Sequence, residues 1–196
     1  MKMKIYRITF ALLIIALIIV LGLIVIKYGG NQIYERKNDE IIEVFNSSTI
    51  SEDENNQIEM EGYTVIGIVR IPKINLEYPI LDIDNPNPSK AKDPMRISIV
   101  KYWGENVNDY GNLSIAGHNN KDGTMFGKTK KLEIGDIVEL VDLNKNTIQY
   151  KVYEIFITEP NDVSILETKD ENVREVTLIT CTNGNKNRLI VKAREI

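Results

Sequence analysis

The sequence predicts a mainly β domain that follows an N-terminal membrane-spanning helix. Three observations support this: an apolar segment near the N-terminus, a polar segment behind it, and short β-branched runs separated by turn residues from residue 63 onward. A chain of 196 residues has room for one ordinary domain with its own core. We therefore expect a single β-barrel or β-sandwich in the C-terminal part of the chain.

The apolar segment covers residues 8–26, in which Thr9 is the only clearly polar residue. As a helix it would be about 28 Å long, roughly the thickness of a bilayer core. Basic residues precede it and no small-x-small cleavage site follows it, which favours an uncleaved signal anchor over the alternative, a cleaved secretion signal. We expect residues 1–7 to be cytoplasmic, residues 8–26 to span the cell membrane, and the chain that follows to be extracellular.

Residues 27–62 are rich in Asn, Gln, Glu, Asp and Ser and are predicted to be a polar spacer. A short helix from about Gln32 to Phe45 could form within the spacer, because several apolar residues would share one stripe. The members of that stripe are Ile33, Ile41, Ile42, Val44 and Phe45. The folded β domain is expected to occupy residues 63–196.

Eight β-branched runs are predicted to be strands of this domain. They are Thr64 to Ile71, Tyr78 to Leu81, Ile97 to Val100, Leu113 to Ala116, Ile137 to Val141, Thr147 to Ile157, Val176 to Thr180 and Arg188 to Ala193. Within the sixth run the apolar parity changes near Val152, which predicts a bulge or a sharp bend there.

Composition excludes several classes of function. The chain has 24 Lys and Arg against 28 Asp and Glu, so the basic field of a nucleic-acid-binding protein is missing. A single cysteine and a single histidine exclude an internal disulfide framework and zinc sites built from several Cys or His ligands. If the protein uses cysteine or histidine chemistry, Cys181 and His118 carry it.

Cys181 and His118 occupy similar positions in the predicted sheet. Cys181 ends the run 176–180 and opens the polar turn 182–187, and His118 likewise ends a strand and opens a turn. In an unbulged hairpin, Arg188 would be the cross-strand neighbour of Cys181. A buried structural cysteine and an intermolecular disulfide are the alternatives to a nucleophile, but a strand tip is a poor place for a structural thiol.

These residues carry a resemblance to a known family. Thr177-Leu178-Ile179-Thr180-Cys181 matches the TLxTC signature of the sortases, which are membrane-anchored cysteine transpeptidases of Gram-positive bacteria. Ala116-Gly117-His118 resembles their histidine motif, and Arg188 resembles their catalytic arginine. The resemblance implies a closed eight-stranded sortase-type β-barrel with short helices, and the limited length of the interval 158–175 favours a class A or class D-like member.

The resemblance also implies a reaction and its partners. Cys181 would attack the threonine carbonyl of an LPxTG-like sorting signal on a surface protein and form a thioester. His118 would move the protons, and Arg188 would stabilise the oxyanion. The acceptor would be an amine of the peptidoglycan precursor, and no cofactor would be required. A cysteine hydrolase without transfer and a non-catalytic tethered β-domain are the alternatives.

Other residues are candidates for the substrate groove. Thr180 could offer a hydroxyl to the substrate, and the interval before the cysteine strand could supply an apolar lining, with core packing as an equal alternative. The lining candidates are Pro160, Val163, Ile165 and Leu166. Tyr102 and Trp103 are expected to pack rather than to touch substrate.

Two further sets of charged residues have structural interpretations. Arg194 lies too far along its strand from Arg188 to share a site, and the hairpin register pairs it with Glu175. Some sortases bind calcium beside the groove, and five acids could supply oxygen ligands here, although solvated loop charges are the simpler expectation. Those acids are Glu105, Asp109, Asp162, Glu167 and Glu171.

Overall fold

The structure is a computed structural model that describes residues 2–47, 57–84, 93–168 and 170–196. It begins with a long helix, α1 (Lys2–Ser47), and continues into a β-sheet of nine strands. The chain divides into an N-terminal unit that ends at Lys37 and a larger unit that begins at Asn38.

The N-terminal unit is the apolar part of α1. Residues Tyr6–Ile24 form a 19-residue stretch with a mean hydropathy of 2.8, which is long and apolar enough to cross a membrane. A helix satisfies its own backbone hydrogen bonds, as a hydrocarbon environment requires. This segment corresponds to the predicted span 8–26 and is consistent with membrane anchoring.

The larger unit contains all the strands. They are β1 (Glu59–Met60), β2 (Tyr63–Ile71), β3 (Leu76–Asp82), β4 (Ile99–Gly104), β5 (Gly111–Ala116), β6 (Ile137–Val141), β7 (Thr147–Thr158), β8 (Arg174–Thr182) and β9 (Asn187–Glu195). The one-turn helix α2 (Pro94–Ile97) precedes β4, and single-turn or two-turn 3-10 helices lie at Pro72–Ile74, Phe126–Lys131 and Ser164–Leu166.

Each of the eight predicted runs overlaps a strand, although the third begins too early, since Ile97 belongs to α2 and β4 starts at Ile99. Within the described residues, only the two-residue β1 was not predicted. The predicted irregularity near Val152 is also confirmed, because the pairing of β7 with β9 shifts register between Val152 and Glu154. The β-branched runs and the turn residues between them were therefore sufficient to locate the strands.

The sheet closes on itself. Its order is β1-β2-β3-β4-β5-β8-β9-β7-β6, and β6 also pairs with β2. Strands β2 to β9 therefore form a closed barrel of eight strands, and the short β1 pairs only with the start of β2. Two neighbouring pairs, β3–β4 and β5–β8, are parallel, and the others are antiparallel. The predicted mainly β fold with a closed eight-stranded barrel is confirmed.

Strands β5 and β8 are covered on both faces. Every residue of β5 is buried, because one face lines the barrel core and the other lies beneath the connection from β7 to β8. Ile115 on β5 and Leu178 on β8 are paired neighbours in the core. The C-terminal ends of these two strands, next to residue 117 in β5 and at residue 181 in β8, are thereby held at fixed positions.

The compact unit includes part of the segment that was predicted to be a spacer. Asn38, Ile42 and Phe45 lie on one face of α1 and are buried, and Asn38 Nδ2 donates to Ile97 O at 3.3 Å. The Phe45 carbonyl also accepts from Lys145 Nζ. The last turns of α1 pack on the barrel because their apolar stripe needs burial, so this unit begins well before residue 63.

The predicted stripe on that helix was partly wrong, since Ile33 and Val44 are exposed. Residues 48–56 of the predicted spacer lie outside the described residues. Residues 59–60 form β1 and pair with the start of β2, so the end of that segment is also part of the sheet.

Candidate active site

Cys181 and Arg188 face each other across the hairpin between β8 and β9. Their backbones are register partners, as the six-residue turn predicted. Asn183, Gly184 and Asn185 all have positive φ angles, which is why Asn and Gly are suited to this tight reversal. Cys181 is half-buried and is a free thiol, so it can meet a substrate while its backbone stays in the sheet.

The loop that carries His118 is tied to the backbone of the cysteine strand. Gly117 N donates to Ile179 O at 3.2 Å, and Asn119 Nδ2 donates to Cys181 O at 2.7 Å. Residues on both sides of His118 are thus bonded to β8 within two residues of the thiol. The structure brings these two strand ends to one rim, as predicted.

The backbone of His118 is also held from its other side. Its carbonyl accepts from Phe126 N at 3.0 Å, and a Cβ added to Gly117 would lie 3.0 Å from the ring of Phe126. A glycine therefore avoids a tight contact where this loop crosses the Phe126 ring. The imidazole is half-buried at the surface of a fixed loop.

Arg188 directs only part of its guanidinium to the protein. Its Nη1 donates to Asn185 O and Asn187 O, both at 3.2 Å. Within the described residues its Nε and Nη2 have no hydrogen-bond acceptor. Those N–H groups are free to bind a carbonyl or an oxyanion that lies beside the Cys181 sulfur.

All three side chains line one pocket, together with every groove residue that the sequence suggested. The described residues that line it are Met95, Tyr102, Ala116, Gly117, His118, Pro160, Asp162, Val163, Ile165, Leu166, Ile179, Thr180, Cys181 and Arg188. The cavity volume is about 170 Å³, close to the roughly 150 Å³ in which an apolar cavity holds a benzene ring. It can enclose one or two side chains of a peptide, while the rest of the peptide stays at the surface.

Thr180 is buried, and its hydroxyl is already used. Its Oγ1 donates to Gly117 O at 2.8 Å, so the hydroxyl proton bonds to the histidine loop. Toward a substrate it can offer a lone pair and its methyl group.

The wall of the pocket, residues 159–168, is shaped by Asp162. Its carboxylate accepts from Ser164 N at 3.0 Å, from Ser164 Oγ at 2.6 Å and from Thr158 Oγ1 at 2.5 Å. Hydrogen bonds from Ser164 and Thr158 lower the pKa of Asp162 below its ordinary value, because they favour the charged carboxylate. Asp162 is therefore ionised at neutral pH and fixes the turn that presents Val163.

Asn112 holds the same wall from beneath, and sequence analysis did not identify it. This buried side chain donates from Nδ2 to Ile165 O and Leu166 O, each at 3.3 Å. Its Oδ1 accepts from Thr177 Oγ1 at 2.9 Å. An asparagine inside an otherwise apolar strand was the available signal, because a buried amide needs partners.

Tyr102 and Trp103 were expected to pack rather than to touch substrate, and the packing part of that expectation is wrong. Their side chains are 50% and 61% exposed, and Tyr102 lines the pocket. The register of β4 against β5 shifts between Lys101 and Trp103, so Tyr102 is an extra residue in a bulge. A bulge turns side chains away from the regular alternation of the strand.

The charged residues outside the pocket have the predicted structural roles. Arg194 Nη2 lies 3.3 Å from Glu175 Oε2, as the register predicted, and the buried Lys192 Nζ donates to Glu175 Oε1 at 3.1 Å. Arg194 is paired there, and it is absent from the pocket lining.

The five acids considered for calcium are not grouped together in the part of the chain that the structure describes. Among the described residues, no three His, Cys, Asp or Glu side chains are grouped closely enough to hold a metal ion. Asp162 already accepts three protein hydrogen bonds, and it is the only one of the five acids that lines the pocket. No step of the reaction is assigned to calcium.

Comparison with known proteins identifies the family. The sortase domain model matches residues 69–196. The chain is 28% identical over 161 residues to Sortase A of Bacillus anthracis, which covers 81% of this chain and 72% of that protein. It is 26% identical over 175 residues to Sortase A of Staphylococcus aureus, with coverage of 85% and 82%.

A solved structure of a sortase D5 transpeptidase from Clostridium perfringens is also similar. It superposes with a TM-score of 0.65 at 29% identity and covers 84% of this chain and 99% of that one. The family model spans more than half of the present sequence, and the barrel topology agrees with it. The chain therefore belongs to the sortase family of transpeptidases.

Proposed function

We propose that this sortase cleaves an LPxTG-like sorting signal after threonine and transfers the surface protein to an amine of the cell-wall precursor. The observation that carries the proposal is one pocket lined by Cys181, His118 and Arg188 and walled by apolar residues of the β7–β8 connection. A nucleophile, a proton carrier and a fixed cation converge there on the position of one peptide carbonyl.

Acylation begins with attack of the Cys181 thiolate on the threonine carbonyl. An S–C bond forms, the carbonyl becomes an oxyanion, and Arg188 stabilises that charge with the N–H groups it does not use at the hairpin. His118, as imidazolium, then protonates the leaving amine as the C–N bond breaks. The products of this half-reaction are a thioester on Cys181 and the released C-terminal fragment.

Transfer uses the same residues in reverse. The neutral His118 accepts a proton from the incoming amine as its nitrogen attacks the thioester carbonyl. An amide forms, and the Cys181 sulfur leaves as thiolate. The hydrogen bonds from Gly117 and Asn119 to β8 support both steps, because they keep the imidazole near the sulfur throughout.

The apolar wall binds the part of the peptide that precedes the scissile bond. Pro160, Val163 and Leu166 are available to the leucine and proline of the signal, whereas Ile165 is buried beneath them. Thr180 contacts the substrate while its hydroxyl proton remains bonded to Gly117 O. The likeness to sortases named A and D5 agrees with a class A or class D-like subclass.

The location of the enzyme follows from α1. Tyr6–Ile24 would anchor it in the cell membrane, and the basic residues 2, 4 and 7 would keep the N-terminus cytoplasmic. The catalytic unit would then face the outside, where both the surface-protein substrates and the precursor amine are found.

A hydroxylamine competition experiment tests the proposal. Full-length enzyme in detergent is mixed with an LPxTG-type peptide and increasing hydroxylamine, and the products are separated. A thioester is released by whichever nucleophile reaches it, so hydroxamate should replace free acid and the total rate should rise if release is limiting. Peptide cut at the Thr-Gly bond without any hydroxamate would instead indicate a hydrolase.

Two variants serve as controls in that experiment. Cys181→Ala should give neither product, and His118→Ala should slow both halves of the reaction by several orders of magnitude because one imidazole serves both. Hydroxamate formation by Cys181→Ala would contradict the proposed nucleophile.

A further inference from the structure

We propose that the substrate groove continues beyond the catalytic pocket into a second depression, which binds a large apolar side chain upstream of the sorting motif. This inference rests on the proposed function, because it assigns the occupant to the same peptide. We call the depression the Trp103 subsite. It is lined by Trp103, Val163, Leu166, Glu167 and Thr168.

The Trp103 subsite is continuous with the catalytic pocket. Val163 and Leu166 line both depressions, and Tyr102 of the pocket precedes Trp103 in the chain. None of the three proposed catalytic residues lines the subsite. It therefore lies next to the catalytic pocket, separated from Cys181 by Val163 and Leu166.

Two apolar side chains of the subsite are uncovered. The side chain of Trp103 is 61% exposed and that of Val163 is 70% exposed. The bulge in β4 turns the indole outward. Exposed apolar surface that adjoins a binding groove is typical of an interaction site.

The chemistry of transfer decides which half of the peptide reaches the subsite. The acyl half stays bound to Cys181 between the two steps, whereas the amine half departs and the acceptor takes its place. Only the acyl half can use a contact that lasts through both steps, and its residues upstream of the motif must run away from Cys181. The occupant is therefore a residue just before the leucine of the sorting signal.

The lining also specifies the chemistry of that residue. An indole and two aliphatic side chains favour an aromatic or large aliphatic partner. Among the described residues that line the subsite, Glu167 is the only charged one, and it is exposed. A basic neighbour in the peptide is favoured there over an acidic one.

Kinetics with paired peptides test this. One LPxTG-type peptide carries Gly and Ser at the four positions before leucine, and the others carry one Phe moved through those positions. For full-length enzyme in detergent, one Phe position should raise kcat/KM about tenfold, as expected for burial of one apolar side chain. Equal kcat/KM for all peptides would overturn the subsite.

Two variants separate the subsite from general effects. Trp103→Ala should abolish the preference between the Phe peptide and the Gly-Ser peptide. Ile134→Ala removes a side chain that is 72% exposed and lines neither depression, so it should keep the tenfold preference. Loss of the preference in both variants would show that the effect is not specific to Trp103.

A binding measurement makes the inference independent of turnover. Trp103 is the only tryptophan of the chain, so its emission reports on the subsite directly. In full-length Cys181→Ala, the Phe peptide should shift this emission to shorter wavelength and the Gly-Ser peptide should not. If no peptide is cleaved by the wild type, the proposed function fails, whereas the emission test still decides the subsite.

Membrane contact is the competing explanation for an exposed indole. The Cys181→Ala variant in lipid nanodiscs and in detergent distinguishes the two. A blue-shifted emission in nanodiscs without peptide, with no further change on adding the Phe peptide, would assign Trp103 to the lipid surface and overturn the proposal.

Discussion

Replacing Asn112 with alanine should loosen the pocket wall without altering the nucleophile. The side chain is 1% exposed and lies beneath the wall, where its amide group donates to the carbonyls of Ile165 and Leu166. Its oxygen accepts from Thr177. Alanine removes these three hydrogen bonds and a longer one from Nδ2 to Ser114 Oγ at 3.5 Å, and it leaves buried hydroxyls and two carbonyls without this partner.

The size of the effect follows from these bonds. Each contributes about 1 kcal/mol net, and a buried group left unpaired costs roughly 1–3 kcal/mol more. We expect the free energy of unfolding to fall by about 3 kcal/mol, which lowers Tm by roughly 6–12 °C for a domain of this size. The two bonds to the wall account for about 2 kcal/mol, so KM for the peptide could rise up to about 30-fold.

The assay measures KM and kcat for the peptide separately, with hydroxylamine as the acceptor. Asn112→Ala should raise KM while kcat changes little, because Cys181 and His118 are positioned by backbone bonds that do not include Asn112. The matched control is Asn108→Gly. Asn108 is also buried and multiply hydrogen-bonded, has a positive φ that glycine preserves, and lines no part of the pocket.

Asn108→Gly should therefore lower Tm while leaving KM unchanged. If Asn112→Ala lowers Tm to the same extent and also leaves KM unchanged, the wall does not depend on Asn112 and the reasoning is refuted. The variant Asn112→Asp offers a second check, because the carboxylate keeps the acceptor for Thr177 but cannot donate to the wall.

Three further predictions concern other parts of the enzyme. Arg188→Lys should lower kcat/KM at least about tenfold because an ammonium cannot reproduce the guanidinium fork, whereas Arg194→Lys should retain activity; the opposite result would show that the wrong arginine was chosen. Asp162→Asn should raise KM at neutral pH. The difference in KM from wild type should disappear as the pH falls below 3.8 and through the lowered pKa of Asp162, because the charged carboxylate that accepts the loop hydrogen bonds is then lost. A difference in KM that persists well below that lowered pKa would contradict this. Phe45→Ala should lower the free energy of unfolding by about 3 kcal/mol, whereas Val44→Ala on the exposed face of the same helix should lower it by less than about 1 kcal/mol. Equal losses of stability in thermal unfolding would show that the end of α1 does not pack as described.

The features that could be predicted from the sequence are local ones. Strand positions follow from β-branched runs between turn residues, and the hairpin register of Cys181 and Arg188 follows from the length of one turn. The parity change near Val152 is likewise visible in one run of residues. Each of these needs only neighbours in the chain.

The features that were missed depend on distant segments. The role of Asn112 requires both the parallel pairing of β5 with β8 and the loop that covers them, and neither is encoded near residue 112. The exposure of Trp103 depends on a bulge opposite residues 114–115. The helix end at Phe45 is buried only because the barrel offers a surface for it, whereas its polar composition resembled a spacer.

Intact-protein mass spectrometry tests the central claim most directly. Full-length enzyme is mixed with an LPxTG-type peptide in the absence of an added amine and quenched in acid. The account predicts an adduct whose mass equals the peptide up to its threonine carbonyl, located on Cys181, removed by hydroxylamine and absent from Cys181→Ala. Cleavage of the same peptide by Cys181→Ala, or an adduct on any other residue, would contradict it.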